Sequence, residues 1–315
     1  MQTFLPFADF GRTAAVLDSP RLGKQRVETL QILRAIELPE YGWQNHPAVV
    51  MWRGWVPALV RYGLDCVLEW RSRGFADSTA SQISEFAPEV VDRTQRDLDT
   101  AGQLPGWLRD ERLLISHRSK LLAKNPEHYS GMFHDVPRDL EYFWPGPSAS
   151  PPRAQPRPPR RLWVCRAEST TVLGFFLEQE IIGLTAASGI DHDVAGLDLG
   201  SMRELLGPTA RRKPGRQLLA LSQLVSDLAP GDEVATPVES GRALLAGRVA
   251  GDYEFAAADG SGLPHRRRVT WERIIPRSSV VPIYALQDVR PLFPVYLQSG
   301  DRPSGAGHNS GEAPG

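Results

Sequence analysis

The chain has 315 residues, of which 41% are hydrophobic and 23% are charged, and its formal net charge is −1. This length and composition are typical of a globular protein with about two domains, and the charge excludes a chain that is basic over its whole surface. No apolar run approaches the roughly 20 residues that a membrane-spanning helix needs, and the first residues do not resemble a signal peptide, so we expect a cytoplasmic protein.

The two cysteines, Cys66 and Cys165, lie far apart and have no neighbouring Cys or His at metal-ligand spacing. Neither a disulfide framework nor a zinc site is indicated. We predict two buried thiols, no metal and no cofactor.

The segment RLGKQRVETLQIL, residues 21–33, predicts an amphipathic helix, and Pro20 suits its first turn. Polar side chains at the spacing i, i+3, i+4 and i+7 fall on one face of such a helix. A helix ion pair is the simplest explanation, although lysine before glutamate is the less favourable order, and a functional site is the alternative. The polar stripe contains Arg21, Lys24, Gln25 and Glu28, and the separate apolar face contains Leu22, Leu30, Leu33 and Ile36.

Two more helices are predicted in the first domain, which we assign to residues 1–146. Residues 48–74 have helical periodicity, which tolerates Pro57 only as a kink or an early-turn residue. Residues 106–129 predict a third helix that stops at Pro126. The expected fold is an all-α domain, with the tryptophans of MWRGW in its core.

Proline and arginine dominate residues 147–161, which predicts an extended tether. Short strand-like runs then alternate with Gly, Pro and Asp, and one helix is expected within residues 211–231. We therefore predict an α+β domain with a curled sheet over residues 162–298. Residues 299–315 have almost nothing apolar to bury, so a disordered tail is expected.

Three stretches of the first domain are RLGKQRVE, NHPAVVMWRGWVPALVRYGLDCVLEWRSRGF and SHRSKLLAKNPEHY. In this order they resemble the pyrimidine-dimer DNA glycosylases of the phage endonuclease V type. The resemblance implies a helical DNA glycosylase, with AP lyase activity as a further expectation. It also implies that an N-terminal amine attacks the sugar C1′ to form an imine, and that Glu28 is the catalytic carboxylate.

Three candidates for the nucleophile remain open. Methionine is normally removed only before small residues, and Gln2 is bulky, so the amine is expected to be that of Met1. Lys24, one turn from Glu28, is a second candidate, because burial or neighbouring cations make a lysine less basic. Hydrolysis by water, without an imine, is the third.

The resemblance also implies a surface that contacts DNA. Histidines in such motifs are, taken singly, more often helix caps or core residues. The predicted substrate-binding residues are Arg21, Gln25, Arg26, Asn45, His46, His117 and Arg118.

Five stretches between residues 162 and 297 are LWVCRAE, IIGLT, GRQLLALSQLVSDLAPGDEVATPV, GRVAGDYEF and LPHRRRVTWERIIPRSSV. They resemble the PUA-like domains of the EVE type that accompany nucleases in modification-dependent restriction systems. The resemblance implies a reader that takes a modified base out of the stack. The candidate pocket walls are Trp163, Tyr253 and Trp271, with His265, Arg266 and Arg267 as contacts, whereas burial in the sheet core is the alternative for both tryptophans.

Together, the two resemblances predict a glycosylase that acts on double-stranded DNA and carries a modified-base reader. Defence against phage with altered DNA is the role this combination suggests, by analogy of domains alone. A non-catalytic module that binds modified nucleic acid is the rival hypothesis.

Overall fold

A computed structural model describes residues 1–146, 160–185, 190–206, 215–256 and 261–298. Most of the predicted tether and the whole predicted tail lie outside these ranges. The chain forms two compact units, the first made of Met1–Gln155 and Tyr284–Val289, the second of Pro156–Ile283 and Arg290–Gly315. None of the helices in the described ranges combines the length and apolar character that a membrane-spanning segment requires.

The first unit is helical, as predicted. Three long helices, α2, α4 and α7, correspond to the three that the sequence predicts, and short helices connect them. The bounds are α1 Phe10–Val16, α2 Ser19–Glu37, α3 Pro47–Val50, α4 Val56–Ser72, α5 Ala80–Ser84, α6 Gln95–Thr100, α7 Glu111–Lys124 and α8 Pro126–Tyr129.

The helix predicted over residues 48–74 is in fact two helices. A turn with Gly54 at φ 80° separates α3 from α4. Pro57 lies in the first turn of α4, where its missing N–H leaves no helical hydrogen bond unmade. Trp52 and Trp55 are buried in the core, as predicted, but they lie in and beside this turn and not within a long helix.

The segment Tyr284–Val289 completes the first unit, although it follows most of the second unit in sequence. The Tyr284 ring stacks on Phe86 with 4.9 Å between ring centroids and 7° between planes. Its hydroxyl donates a hydrogen bond of 2.6 Å to the Glu37 carboxylate. Tyr284 is therefore a core residue of the helical unit.

The second unit is built on a six-stranded mixed sheet, which confirms the coarse prediction of an α+β fold. The strand order is β2-β5-β4-β3-β1-β6, and β1 and β3 run parallel while the other neighbours are antiparallel. The strands are β1 Arg160–Cys165, β2 Ile181–Leu184, β3 Glu233–Val238, β4 Ala243–Phe255, β5 His265–Pro276 and β6 Leu292–Leu297, and the helices are α9 Thr170–Glu178, α10 Leu199–Leu205 and α11 Arg216–Ser222.

Two helices of this unit correct the prediction of a single one. Both α9 and α10 are short, and the chain around them lacks a long helical period. The pairing of β4 with β5 shifts register next to Gly247. A Cβ at Gly247 would overlap the Thr270 carbonyl oxygen, so only glycine fits that close approach.

Cys66 and Cys165 are both unpaired and fully buried, as predicted. Burial away from water disfavours the thiolate and raises the pKa of each thiol.

Candidate active site

A pocket of about 330 Å³ lies along α2, beside the beginning of the chain. It brings together the two residues that the sequence analysis pairs as amine and carboxylate, Met1 and Glu28. Its full lining is Met1, Gln2, Phe4, Pro20, Arg21, Lys24, Gln25, Glu28, Lys124 and Tyr142.

Side chains from three helices hold the first residues of the chain in place. The N–H of Phe4 donates to Gln25 Oε1 at 2.8 Å, and the N–H of Leu5 donates to His117 Nδ1 at 2.8 Å. The Tyr62 hydroxyl lies 2.7 Å from Gln25 Oε1 and 2.9 Å from the Phe4 carbonyl oxygen, so its one proton serves two acceptors. The backbone groups of this extended segment are hydrogen-bonded to side chains, whereas those of a β-strand are hydrogen-bonded to a neighbouring strand. These hydrogen bonds fix the position of the terminal amine.

Glu28 faces that amine. Its Oε1 lies 3.9 Å from the Met1 α-amino nitrogen, and its Oε2 accepts from the Gln2 N–H at 3.2 Å and from the Gln25 side-chain amide at 3.5 Å. The Glu28 side chain is 22% exposed, so the carboxylate is oriented by the protein and still reached from the pocket. Among the described residues no ion pair joins Lys24 to Glu28, and the exposed Lys24 lies on the pocket lining. The simple helix pair considered from the sequence is not formed.

Gln25 and His117 differ from their predicted role as substrate contacts, because both side chains are fully buried. Burial lowers the pKa of His117 to about 3, so the ring is neutral. Since Nδ1 accepts from Leu5, the ring proton lies on Nε2, which is 3.2 Å from the Gln2 side-chain amide. An amide orientation that presents the buried Gln2 oxygen to this proton satisfies both groups. We assign both residues to positioning the N-terminal segment.

Arg26 also differs from its predicted role as a phosphate or base contact. Its guanidinium is paired with the fully buried carboxylate of Asp77 and lies over the Trp70 ring, 4.3 Å from the centroid. Only 11% of the Arg26 side chain is exposed. The residue ties α2 to the loop before α5.

The other two predicted arginines are held by partners and remain partly exposed. Arg118 donates to the Pro6 carbonyl at 2.8 Å and pairs with Glu111 at 2.9 Å. Arg21 pairs with Asp18 at 2.8 Å and lines the pocket. Arg21 is therefore the predicted arginine that the structure places at the candidate site.

Asn45 is exposed, and His46 begins α3 as its N-cap, with Nδ1 accepting the Ala48 N–H at 3.1 Å. This is the helix-cap role that the sequence analysis gave as the alternative for His46. Burial, and secondly the Met1 ammonium charge, lower the pKa of His46. The His46 ring is therefore close enough to the Met1 amine for the ammonium charge to disfavour its protonation.

Residues 1–82 match the family described as pyrimidine dimer DNA glycosylase. The predicted resemblance of the first domain is confirmed over these 82 of the 315 residues. The matched segment contains Met1, Glu28 and the α2–α4 frame. No curated protein and no solved structure matches the chain.

Two pocket residues outside the glycosylase match, Lys124 and Tyr142, were not predicted. Burial, together with the charge of Glu28, raises the pKa of Tyr142 to about 12, which places its hydroxyl within the field of the carboxylate. The sequence contains a signal for each of them. Lys124 shares a face of α7 with Lys120 by i, i+4 spacing, and Tyr142 belongs to the aromatic run EYFW, residues 141–144.

In the second unit, the structure does not combine Trp163 and Trp271 into one base-binding slot. Trp163 on β1 is buried in the core, and the Trp271 indole N–H on β5 donates to the Phe176 carbonyl at 2.9 Å. Three strand spacings separate β5 from β1, which is roughly 14 Å. The core role considered from the sequence describes Trp163 better than the role of a pocket wall.

Tyr253 and His265 are brought together, but His265 is fully buried. Its Nε2 donates to the Ile190 carbonyl at 2.9 Å, so in the neutral ring Nδ1 accepts from the Tyr253 hydroxyl at 2.8 Å. Burial lowers the pKa of His265, which favours this neutral form. The imidazole is therefore already hydrogen-bonded on both nitrogens.

The two predicted arginines on β5 lie in different environments, as alternation along a strand requires. Arg267 is buried and donates to the Leu224 and Val225 carbonyls at 2.6 and 2.9 Å, so its predicted contact with phosphate or base is replaced by internal hydrogen bonds. Arg266 is partly exposed and lies 3.6 Å from Glu254.

Proposed function

We propose that the first unit is a DNA glycosylase that excises a base from double-stranded DNA at a pyrimidine dimer or a similarly altered site. The observation that carries this proposal is the pairing of the Met1 amine with the Glu28 carboxylate, 3.9 Å apart in an open pocket. The match of residues 1–82 to the pyrimidine dimer DNA glycosylase family supports the same activity.

Glu28 is positioned to accept a proton from the Met1 ammonium. The free amine then attacks C1′ of the deoxyribose, the C1′–N bond to the base breaks, and the departing base nitrogen takes the proton that Glu28 holds. In a pyrimidine dimer the detached base stays joined to the neighbouring pyrimidine. Opening of the sugar ring at C1′ gives an imine between Met1 and the deoxyribose. In the proposed AP lyase step, loss of a proton from C2′ expels the 3′ phosphate, and Glu28 is the nearby group that can accept that proton.

The remaining charges of the pocket suit a polyanion. Arg21, Lys24 and Lys124 line it, and Glu28 is the one carboxylate among its lining residues. Lysine and arginine side chains bind DNA chiefly through the phosphates. We assign these three cations to the phosphates that flank the target nucleotide.

Borohydride trapping tests the proposal. Borohydride reduces an imine to a stable amine, so incubation with dimer-containing duplex should give a covalent protein–DNA complex. Peptide mapping of that complex should identify Met1. A covalent complex at Lys24 would show that Lys24, and not the Met1 amine, is the nucleophile. Excision without any trapped complex would indicate attack by water.

A rival, a non-catalytic module that binds modified nucleic acid, predicts neither base release nor trapping. Duplexes with a pyrimidine dimer and duplexes with other modified bases should be compared for the formation of abasic sites, because a base cut from its sugar within a dimer stays joined to the neighbouring pyrimidine. Binding without abasic sites in any of them would favour the rival and contradict the glycosylase proposal.

For the second unit we propose a role in recruiting the protein to DNA with altered bases, and with it a role in defence against phage. The support is the resemblance of residues 162–297 to EVE-type domains. Of the predicted reader residues, Tyr253, Arg266 and Trp271 keep partly exposed side chains. Trp271→Ala, compared with the wild type on matched modified and plain duplexes, should lower the preference for modified DNA while excision at saturating DNA persists.

A further inference from the structure

Trp43 has the most exposed large apolar side chain of the described residues, at 68%. It lies in the loop between α2 and α3, and its backbone has φ 71°. This left-handed conformation is uncommon for a bulky side chain. The His46 N–H donates to the Trp43 carbonyl at 2.9 Å, which holds the turn. A strained turn that keeps an indole in water is unfavourable for stability and points to a function.

A row of aromatic rings connects Trp43 to the candidate active site. Trp43 contacts His46 at 5.9 Å between centroids, His46 contacts Trp144 at 6.1 Å, and Trp144 contacts Tyr142 at 5.3 Å. Tyr142 lines the pocket that holds the Met1 amine. The exposed indole is thus at the outer end of a row of ring contacts whose inner end is the pocket wall.

The chemistry of base excision requires such a group. An enzyme that acts at C1′ has to move the target nucleotide out of the stack, which leaves unpaired neighbours. Indole rings stack on nucleobases irrespective of sequence, and apolar side chains that enter a base step unstack it. Lys24 and Lys124 line the same pocket, and cations of this kind bind DNA chiefly through its phosphates.

We propose that Trp43 enters the DNA double helix beside the excised nucleotide and stacks on the neighbouring base. The row Trp43–His46–Trp144–Tyr142 then lies between the DNA double helix and the pocket. The occupant of this surface is a nucleobase of duplex DNA. The inference rests on the proposed glycosylase function, and it adds a residue that recognises the disrupted stack.

The test uses the full chain and a duplex that contains a stable abasic analogue next to 2-aminopurine, whose fluorescence reports stacking. The wild type should change this fluorescence on binding. Trp43→Ala and Trp43→Asn should abolish most of the change and bind about tenfold more weakly, because one base–aromatic stack is removed. Asparagine tolerates the left-handed backbone, so Trp43→Asn covers the case in which the alanine variant does not fold.

Two matched variants complete the experiment. Trp43→Phe keeps a ring and should retain part of the fluorescence change. Leu68→Ala removes an apolar side chain that is 60% exposed on α4 and should behave as the wild type. If folded Trp43→Ala or Trp43→Asn protein gives the wild-type fluorescence and affinity, the proposal is wrong, and the exposed indole serves another contact.

The same variants separate this inference from the proposed function. Excision of dimers by the wild type, together with an unaffected Trp43→Asn variant, overturns only the role of Trp43. Absence of excision by the wild type, together with a fluorescence change that depends on Trp43, overturns the glycosylase and supports the stacking role. A wild type that leaves the fluorescence unchanged overturns the stacking role whatever its excision activity.

Discussion

Gly63 of α4 lies against Thr29 of α2, the residue that follows Glu28. A Cβ at position 63 would stand 2.7 Å from Thr29 Cγ2 and 3.3 Å from two carbons of Ile83. Both neighbours are fully buried and cannot move into solvent. The two long helices therefore pack tightly one residue beyond Glu28.

Gly63→Ala should destabilise the first unit by about 1–3 kcal/mol, because overpacking outweighs the better helix propensity of alanine. Urea unfolding followed by circular dichroism measures this change. Gly11→Ala in α1 is the matched control, since its Cβ would meet only Asp9 Oδ1 at 3.5 Å. Equal stability of the two variants would contradict the packing described for Gly63.

Glu28→Gln should abolish excision and retain DNA binding. The amide has nearly the shape of the carboxylate and can still accept the Gln2 N–H, but it cannot take the proton from the Met1 ammonium. Single-turnover formation of abasic sites and a separate binding titration measure the two effects. Glu89→Gln, at an exposed site, should leave both unchanged. Excision at the wild-type rate by Glu28→Gln would remove this residue from the chemistry.

Lys24→Gln and Lys124→Gln should each weaken DNA binding and make it less sensitive to salt. Removal of one phosphate-binding cation reduces the slope of log K against log salt concentration by about 0.9. Binding titrations at several salt concentrations give the slope. Arg109→Gln is the control, because Arg109 is exposed at a different pocket, where it pairs with Asp99 at 2.5 Å. Unchanged slopes in both lysine variants would exclude the proposed binding of these lysines to phosphates.

His117 should make the first unit acid-sensitive. Its pKa is lowered from 6.5 to about 3 in the folded protein, so the unfolded chain binds a proton that the folded chain does not. Well above pH 6.5, where the ring is neutral in both the folded and the unfolded chain, this histidine adds no pH dependence. As the pH falls from 6.5 toward 3, the free energy of unfolding should decrease by up to about 1.4 kcal/mol per pH unit.

His117→Asn tests this dependence, because an asparagine oxygen can replace Nδ1 as the acceptor for Leu5 and does not titrate in this range. The variant should be less stable than the wild type at pH 8, with a gap that narrows toward pH 5. The exposed His134→Asn variant should keep the wild-type dependence. A gap that stays constant with pH would mean that His117 is not buried as a neutral ring.

The sequence predicts α2 well because its information is local. Pro20 in the first turn and the leucine face are short-range features, and both are present in the fold. Gln25 shows the limit of this approach. Helical spacing assigns it to the polar stripe, but the Phe4 N–H and the Tyr62 hydroxyl, which are distant in sequence, supply the hydrogen bonds that allow its burial.

The predicted site shows the same division. The sequence analysis named four residues that line the pocket. Arg21, Lys24 and Glu28 share one helix face, and the family resemblance added Met1. Lys124 and Tyr142 reach the pocket from chain positions about 100 residues further on, and no helical period relates them to α2. The sequence analysis predicted that Arg26 contacts DNA. Its ion pair with the buried Asp77, 51 residues further along the chain, depends on the three-dimensional fold and has no signal in the local sequence.

The helical unit is discontinuous in the chain, and this has a consequence for its biosynthesis. Phe86 cannot stack on the Tyr284 ring, nor Glu37 accept from its hydroxyl, until nearly 200 intervening residues have been translated. The helical unit therefore cannot reach its final packing on the ribosome until the segment Tyr284–Val289 has been translated. A nascent or truncated protein that stops before residue 284 would expose the Phe86 face, and exposed apolar surface of this kind promotes aggregation and recognition by chaperones.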